Sequence, residues 1–199
     1  MVNERETAAS GRGSGVAVCA ESDEQLAQLA AGGDRGAFGT LVVRWERRLY
    51  RFVFVRLCSE HDAAEVVQET LMRAWRAMPR FRPTAKFSTW LFSIAHRETI
   101  NVIRRRQKDQ KDLRREAPIN DDREEAEGGL LAEVWEIARD ILDTGVFEIV
   151  WLRYAEDMEP KQIARVTGKS AVGVRVSLHR ARQRLAEAIG ENGSESGVR

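Results

Sequence analysis

The amino-acid sequence predicts an all-α protein with two small helical domains joined by a flexible acidic linker. Apolar residues recur at steps of three and four, strand-like alternation is hard to find, and there are only four prolines and two tyrosines. Hydrophobic residues make up 43% and charged residues 32% of the 199 residues, which is typical of a globular protein. The apolar runs are far too short for a bilayer span, so we expect no membrane insertion.

Composition and turn residues divide the chain into five segments. We predict a disordered tail at 1–21, a first helical domain at 22–107, a linker at 108–128, a second helical domain at 129–190 and a disordered tail at 191–199. The N-terminus lacks the apolar region of a secretory signal, and two cysteines make neither a disulfide framework nor a metal pair. A reduced, cytoplasmic protein is the expectation.

Four helices are predicted in the first domain. Ser22 or Asp23 caps a short helix whose Leu26 and Leu29 face inward. A second helix runs from residue 37 to about residue 57, and Asp62 caps the third. The fourth, FSTWLFSIAHRETINVIRRR, starts apolar and aromatic and ends in three arginines. A core helix has no use for those arginines, so its later turns are expected to contact phosphates.

The second domain is predicted to end in a helix-turn-helix. Helices are expected over LLAEVWEIARDIL, VFEIVWLRYAEDM and KQIARVTG, followed by a long helix from Ser170 to about Ile189. Ala164 suits a close helix crossing, Gly168 suits a turn with positive φ, and Val174 suits packing back on the first helix. A plain helical hairpin with a solvated basic face is the alternative.

The charge distribution favours a nucleic-acid partner although the formal net charge is only +1. Residues 80–115 hold eleven Lys or Arg against three acids, and residues 161–184 hold seven against none. Between them, residues 116–143 hold ten acids against two arginines. Two basic blocks separated by an acidic one indicate two polyanion-binding modules.

Candidate nucleic-acid contacts fall in both basic blocks. In the second domain they lie on the helix-turn-helix: Gln162, Lys169, Ser170, Arg175, His179 and Arg182. In the first domain, aromatic rings beside cations suit unstacked bases: Phe81, Arg82, Lys86, Phe87, Trp90, His96, Arg97, Asn101, Arg104, Arg105 and Arg106. The alternative, that the rings belong to the core, is favoured for Phe87 and Trp90 individually.

No catalytic constellation is visible. The three histidines lie far apart in sequence, no nucleophile context or Gly-rich phosphate loop is present, and no cluster has metal-ligand spacing. Glu65 and Glu69 are more simply a solvated helix face than a carboxylate pair. We therefore expect neither catalysis nor a metal or other cofactor. Cys58, at the end of an apolar helix, is expected to be a small buried hydrophobe.

Two blocks of the sequence resemble a known family. DAAEVVQETLMRAWRAM with the fourth helix looks like region 2 of bacterial group IV (extracytoplasmic-function) sigma factors, and QIARVTGKSAVGVRVSLHRARQRL is similar to their region 4.2. The resemblance implies a promoter-specificity subunit of RNA polymerase, with the fourth helix and its preceding loop at the −10 element and the helix-turn-helix at the −35 element. It departs from the usual pattern at His96, Arg97, Asn101 and Gly173.

The resemblance also implies protein partners. The third helix would dock on the beta-prime clamp of core RNA polymerase. The beta flap of the polymerase and an anti-sigma factor are further implied partners. The outward residues of the third helix are Asp62, Glu65, Gln68, Glu69, Arg73 and Arg76. One alternative stays open at this point, namely a stand-alone helix-turn-helix regulator that binds duplex DNA without polymerase.

Overall fold

The computed structural model describes residues 21–82, 84–112 and 130–195, and every regular element within them is helical. The first domain contains α1 Asp23–Ala31, α2 Arg35–Leu57, α3 Glu60–Ala77, a 3-10 turn Met78–Arg80 and α4 Phe87–Asp112. The second contains α5 Leu130–Ile141, α6 Thr144–Tyr154, α7 Pro160–Thr167 and α8 Ala171–Glu195. The predicted all-α fold class is confirmed. The first tail up to residue 20, most of the linker and Cys19 lie outside the described residues.

Side-chain caps set the first helix starts. Ser22 and Gln25 form a reciprocal capping box at α1, and Asp34 accepts bonds from the backbone of α2. The predicted Asp62 cap is wrong. Helix α3 begins one turn earlier than predicted, at Glu60, and Ser59 is its N-cap. Ser59 has an extended backbone, and its Oγ accepts a hydrogen bond from the Asp62 backbone N–H at 3.3 Å.

Aromatic side chains fill the core of the first domain. The Phe92 ring of α4 meets Trp45 and Phe52 of α2 edge to face, with centroids 5.9 and 5.0 Å apart. The inward placement of Leu29 is wrong, since 46% of it is exposed while Ala27 and Ala30 are buried. Small residues on that face let α1 lie close to α2.

Helix α6 is the centre of the second domain and touches the first domain as well. It packs against α5, α7 and α8 on one side and against α2 on the other. Its Ile149 and Leu152 are fully buried, and so is the carboxylate-bearing Glu148. Helix α7 packs on α4, so the two domains form one closed body.

Two helix ends and one burial expectation need correction. Helix α4 continues to Asp112, past the predicted end at Arg106, and α8 continues to Glu195, past the predicted end near Ile189. Cys58 is exposed rather than buried. Cys58 is the C-terminal cap of α2 in a left-handed conformation, with φ 48°.

Two glycine substitutions should move stability in opposite directions. Gly168, between α7 and α8, has φ 70°, so Gly168→Ala should lower the free energy of unfolding by about 1–2 kcal/mol. Gly39 lies inside α2 with open space around its missing Cβ, so Gly39→Ala should raise it by about 0.5–1 kcal/mol. Urea unfolding measures both, and the same sign for both would contradict this assignment.

Candidate nucleic-acid interface

The helix-turn-helix forms as its residue spacing predicts. The seam between α7 and α8 is closed by Ile163 and Val174, both fully buried, and by Leu178 at 6% exposure. Gly168 takes the left-handed turn. Pro160 and a capping box between Glu159 and Gln162 start α7.

Gly173 has a structural explanation in the cap of α8. The Ser170 Oγ accepts a bond from the Gly173 backbone N–H at 3.0 Å. A Cβ at position 173 would lie 3.1 Å from that oxygen, a tight contact. Glycine therefore leaves room for the capping hydroxyl, which offsets part of the cost of glycine inside a helix.

The outer face of α8 presents a cationic stripe. Arg175, His179 and Arg182 are exposed and follow each other at steps of four and three, so they share one face, and Lys169 is exposed at its N-terminal end. We call these four residues the α8 stripe. Gln162 differs, because its Nε2 donates to the Thr89 Oγ1 of α4 at 3.1 Å.

A second cationic stripe runs along α4. Arg97, Asn101, Arg104 and Arg105 are exposed and lie at helical steps on one face. We call them the α4 stripe. The third residue of the arginine triplet points elsewhere: Arg106 pairs with Asp62 of α3 and donates to the Leu57 carbonyl oxygen at 3.1 Å.

The aromatic residues near the start of α4 are mainly core residues. Phe81 is 6% and Phe87 1% exposed, and both rings contact the half-buried Trp90. Phe81 and Phe87 are thus packed in the core in this conformation, and their expected role in stacking on bases stays a prediction. Arg82 and Lys86 stay exposed beside them, and Arg82 donates to the Phe81 carbonyl oxygen at 3.3 Å.

His96, another expected DNA contact, is held by the second domain. Its Nδ1 lies 2.6 Å from Glu148 Oε1, and Arg56 Nη1 donates to Glu148 Oε2 at 2.7 Å. Arg56 Nη1 also lies 3.3 Å from His96 Nδ1, so the guanidinium, the imidazole and the carboxylate form one cluster. Only 3% of the Glu148 side chain is exposed.

The outward polar face of α3 is partly used within the first domain. Asp62 forms an ion pair with Arg106 of α4. The Arg73 Nε lies 2.5 Å from Glu69 Oε1, and its Nη1 lies 2.9 Å from Glu98 Oε1 of α4. These contacts tie α3 to α4. Glu65, Gln68 and Arg76 are exposed.

Sequence inspection missed an apolar groove between α2 and α3. It encloses about 690 Å³ and is lined by Phe38, Val42, Val43, Glu46, Arg47, Tyr50, Ala64, Val67, Gln68, Leu71, Met72 and Trp75. Val43 is 79% and Met72 40% exposed, so both apolar side chains face solvent. An exposed apolar side chain at position 43, on a helix otherwise charged at its surface, was the available signal.

Other classes of site are not seen in the described ranges. There, no group of three or more His, Cys, Asp or Glu side chains could hold a metal ion. Over the same residues, no helix combines the length and hydropathy needed to cross a bilayer.

Comparison with known proteins decides the family. Residues 41–109 match the Sigma-70 region 2 model and residues 141–185 the Sigma-70, region 4 model. The RNA polymerase sigma factor NccH of Alcaligenes xylosoxydans xylosoxydans is 32% identical over 84% of this chain and 94% of its own length. The chain belongs to the sigma-70 family. Its relatives place this sigma factor in the extracytoplasmic-function group.

Further relatives agree with the sigma-factor assignment. The RNA polymerase sigma factor CnrH of Cupriavidus metallidurans is 31% identical over 85% of this chain and 95% of its own length. The solved structure of CnrH in complex with the cytosolic domain of CnrY matches with a TM-score of 0.62 at 29% identity, covering 86% of this chain and 99% of that one. RpoE in complex with the anti-sigma factor NepR from Bartonella quintana shares the fold, with a TM-score of 0.68 over 77% of this chain and 96% of that one at 23% identity.

Within the arginine triplet of this sigma factor, Arg106 should stabilise the fold, whereas the exposed Arg104 and Arg105 should contact DNA. Arg106→Ala removes the Asp62 pair and the bond to the α2 terminus, so the free energy of unfolding should fall by roughly 1 kcal/mol, a value discounted for partial exposure. Arg105→Ala, at an exposed neighbouring position, is the matched control and should change it by less than about 0.5 kcal/mol. Equal losses in urea unfolding would show that Arg106 does not join the helices.

Proposed function

We propose that this sigma factor directs core RNA polymerase to promoters by binding the −10 element through the α4 stripe and the −35 element through the α8 stripe. The observation that carries this division is the presence of one exposed cationic stripe on each of two helical domains. Phosphate contacts by arginine position the protein, and base-edge contacts from a recognition helix add sequence preference.

The α8 stripe suits duplex recognition. A recognition helix enters the major groove with its N-terminal residues close to base edges, and Lys169, Ser170 and Arg175 stand at that end of α8. Arg182, two turns further on, is placed for the phosphate backbone. Gln162 joins this surface only when its bond to Thr89 is broken.

The α4 stripe suits the −10 element and strand opening. Arg97, Asn101, Arg104 and Arg105 would follow the backbone, with Arg82 and Lys86 adding charge at the preceding loop. Trp90 is the half-buried ring nearest to this surface, so it is the aromatic best placed to meet an unstacked base.

We assign core polymerase to the groove between α2 and α3. Val43 and Met72 supply an apolar centre, and Glu46, Arg47 and Gln68 supply a polar rim, which is the usual anatomy of a protein interface. Glu65 and Arg76 extend that rim. Asp62, Glu69 and Arg73 contribute mainly by orienting α3 on α4.

The proposal includes the setting of the protein. The beta-prime clamp is the partner we expect at the groove and the beta flap at the second domain, with an anti-sigma factor as regulator, as the names of the structural relatives suggest. The protein would act in the cytoplasm, where promoter DNA lies, and the polymerase would carry out the bond-making chemistry. A stand-alone regulator is not favoured, because it leaves the α4 stripe and the groove without a role.

The decisive experiment is retention of core polymerase by the purified protein followed by transcription from a promoter library. We expect retention and a recoverable −10/−35 consensus. A folded protein that neither retains core polymerase nor raises initiation above core enzyme alone would exclude the proposal. Specific binding to a palindromic duplex without polymerase would instead support the stand-alone regulator.

The two stripes should carry the salt dependence of promoter binding. The double variant Arg104→Ala with Arg105→Ala should weaken open-complex formation and lower the slope of log K against log salt by about 1.5–2, because two phosphate contacts are lost. The double variant Arg175→Ala with Arg182→Ala should impair mainly promoters that depend on their −35 element. Retention of core polymerase is the internal check, since its loss in either variant would refute the division of labour. Arg35→Ala, an exposed arginine at the start of α2, is the control.

The groove should be needed for polymerase binding and dispensable for folding. Val43→Glu places a charge in the apolar centre at a 79% exposed position, so we expect at least about tenfold weaker binding to core polymerase with unchanged thermal unfolding. Leu29→Glu, at a 46% exposed apolar position on α1 outside the groove, is the matched control and should bind normally. Equal affinities of the two variants would move the polymerase site elsewhere.

A further inference from the structure

We propose that buried Glu148 of α6 is an intramolecular latch that keeps the free sigma factor closed and lowers its apparent affinity for promoter DNA. Glu148 lies in the second domain, and its two partners, Arg56 of α2 and His96 of α4, lie in the first. The inference deepens the proposed function and rests on it where it concerns promoters.

The closed arrangement cannot bind both promoter elements. Elements named for positions −10 and −35 lie about 25 base pairs apart, or roughly 85 Å of duplex at about 3.4 Å per base pair. In the closed protein the two domains touch, since Gln162 Nε2 of α7 lies 3.1 Å from Thr89 Oγ1 of α4. The chain between Asp112 and Leu130 can reach roughly 60 Å when extended, which together with the size of the domains covers the span. Opening is therefore part of initiation.

The closed arrangement also occupies expected DNA contacts. His96 belongs to the −10 helix and is bonded to Glu148, while Gln162 belongs to the −35 module and is bonded to Thr89. Each domain thus uses residues of its candidate DNA surface to hold the other. This competition is what makes the contact inhibitory rather than merely structural.

Burial of both partners distinguishes the Glu148–Arg56 pair from the Glu156–Arg48 pair between the domains, in which the carboxylate is equally buried but 44% of the Arg48 side chain is exposed. The exposed side-chain fractions are 3% for Glu148, 9% for Arg56 and 17% for His96, so solvent screens the cluster little. If Glu148 loses its charge, Arg56 is left as a buried cation without a counter-charge, and such unpaired burial is strongly unfavourable. Opening relieves that cost by returning Arg56 to water.

The latch is also built to be released. The Arg56 Nε is buried and has no hydrogen-bond partner in the described part of the chain, so the guanidinium is incompletely satisfied when closed. Taking charges out of water offsets much of what their mutual attraction contributes. A partner that binds only the open form can therefore shift the equilibrium with a modest part of its binding free energy.

A second interdomain pair supplies a matched control. Glu156 of the second domain accepts from Arg48 Nη2 at 2.6 Å, but 44% of the Arg48 side chain is exposed. Burial raises the pKa of Glu156 above its ordinary value, and Arg48 offsets only part of that effect. Because Arg48 stays in contact with water, loss of the charge at Glu156 leaves no buried cation without a counter-charge, so neutralising Glu156 should not open the protein.

Small-angle scattering of the free full-length chain tests the latch without polymerase. We expect a compact wild type, a compact Glu156→Gln variant and an expanded Glu148→Gln variant, each with unchanged helix content by circular dichroism. Arg56→Gln should expand the protein too, because it leaves Glu148 without its main partner. The double variant Glu148→Gln with Arg56→Gln should recover compaction in part, since no buried charge is left unpaired.

Binding of the free protein to a promoter fragment recovered from the library then tests the regulatory consequence. Glu148→Gln should raise the apparent affinity for that fragment by roughly tenfold or more, because a larger fraction of the protein is already open, whereas Glu156→Gln should match wild type. An expanded wild type, or an unchanged profile for Glu148→Gln, overturns the latch while leaving promoter recognition intact. Expansion of Glu148→Gln with no binding of core polymerase by any variant instead overturns the proposed function and keeps the latch.

Discussion

The structure depends on the burial of one face of α4, because that helix serves three surfaces at once. Phe92 and Leu91 close the core of the first domain, Arg104 and Arg105 face solvent, and His96 meets the second domain. A 3.6-residue period allows this separation, since residues three or four apart share a face and intervening residues do not. Arg106 and Glu98 tie the same helix to α3, so the direction of the cationic stripe is set by packing.

The second domain repeats this logic with a smaller core. Helix α6 is buried nearly all round because α8 covers one side and the first domain covers another. The apolar seam of the helix-turn-helix leaves α8 free to present its charged face outward. The same burial explains why a carboxylate can lie in a mostly apolar helix: Glu148 finds its counter-charge, Arg56, in the other domain.

Recognition and regulation therefore share residues. A protein that must touch DNA at two distant elements gains avidity from two modules on one chain, because the second contact is intramolecular once the first has formed. The cost is that, in the absence of DNA, polar residues of the two modules can form hydrogen bonds and ion pairs with each other. In this protein these contacts accompany the packing of α7 on α4.

The sequence by itself determined the helices, the two-domain order, the helix-turn-helix seam and the exposed arginines of α8, because periodicity, caps and turn glycines are local properties. It did not reveal the contact of Glu148 with the first domain or the pairing of Arg106 with Asp62. It also did not reveal the burial of Phe81 or the groove beside Val43. Each of those depends on partners distant in the chain: position 148 meets positions 56 and 96, and position 106 meets position 62. Only tertiary packing decides which charges find each other, since an isolated helix exposes all of its outward residues equally.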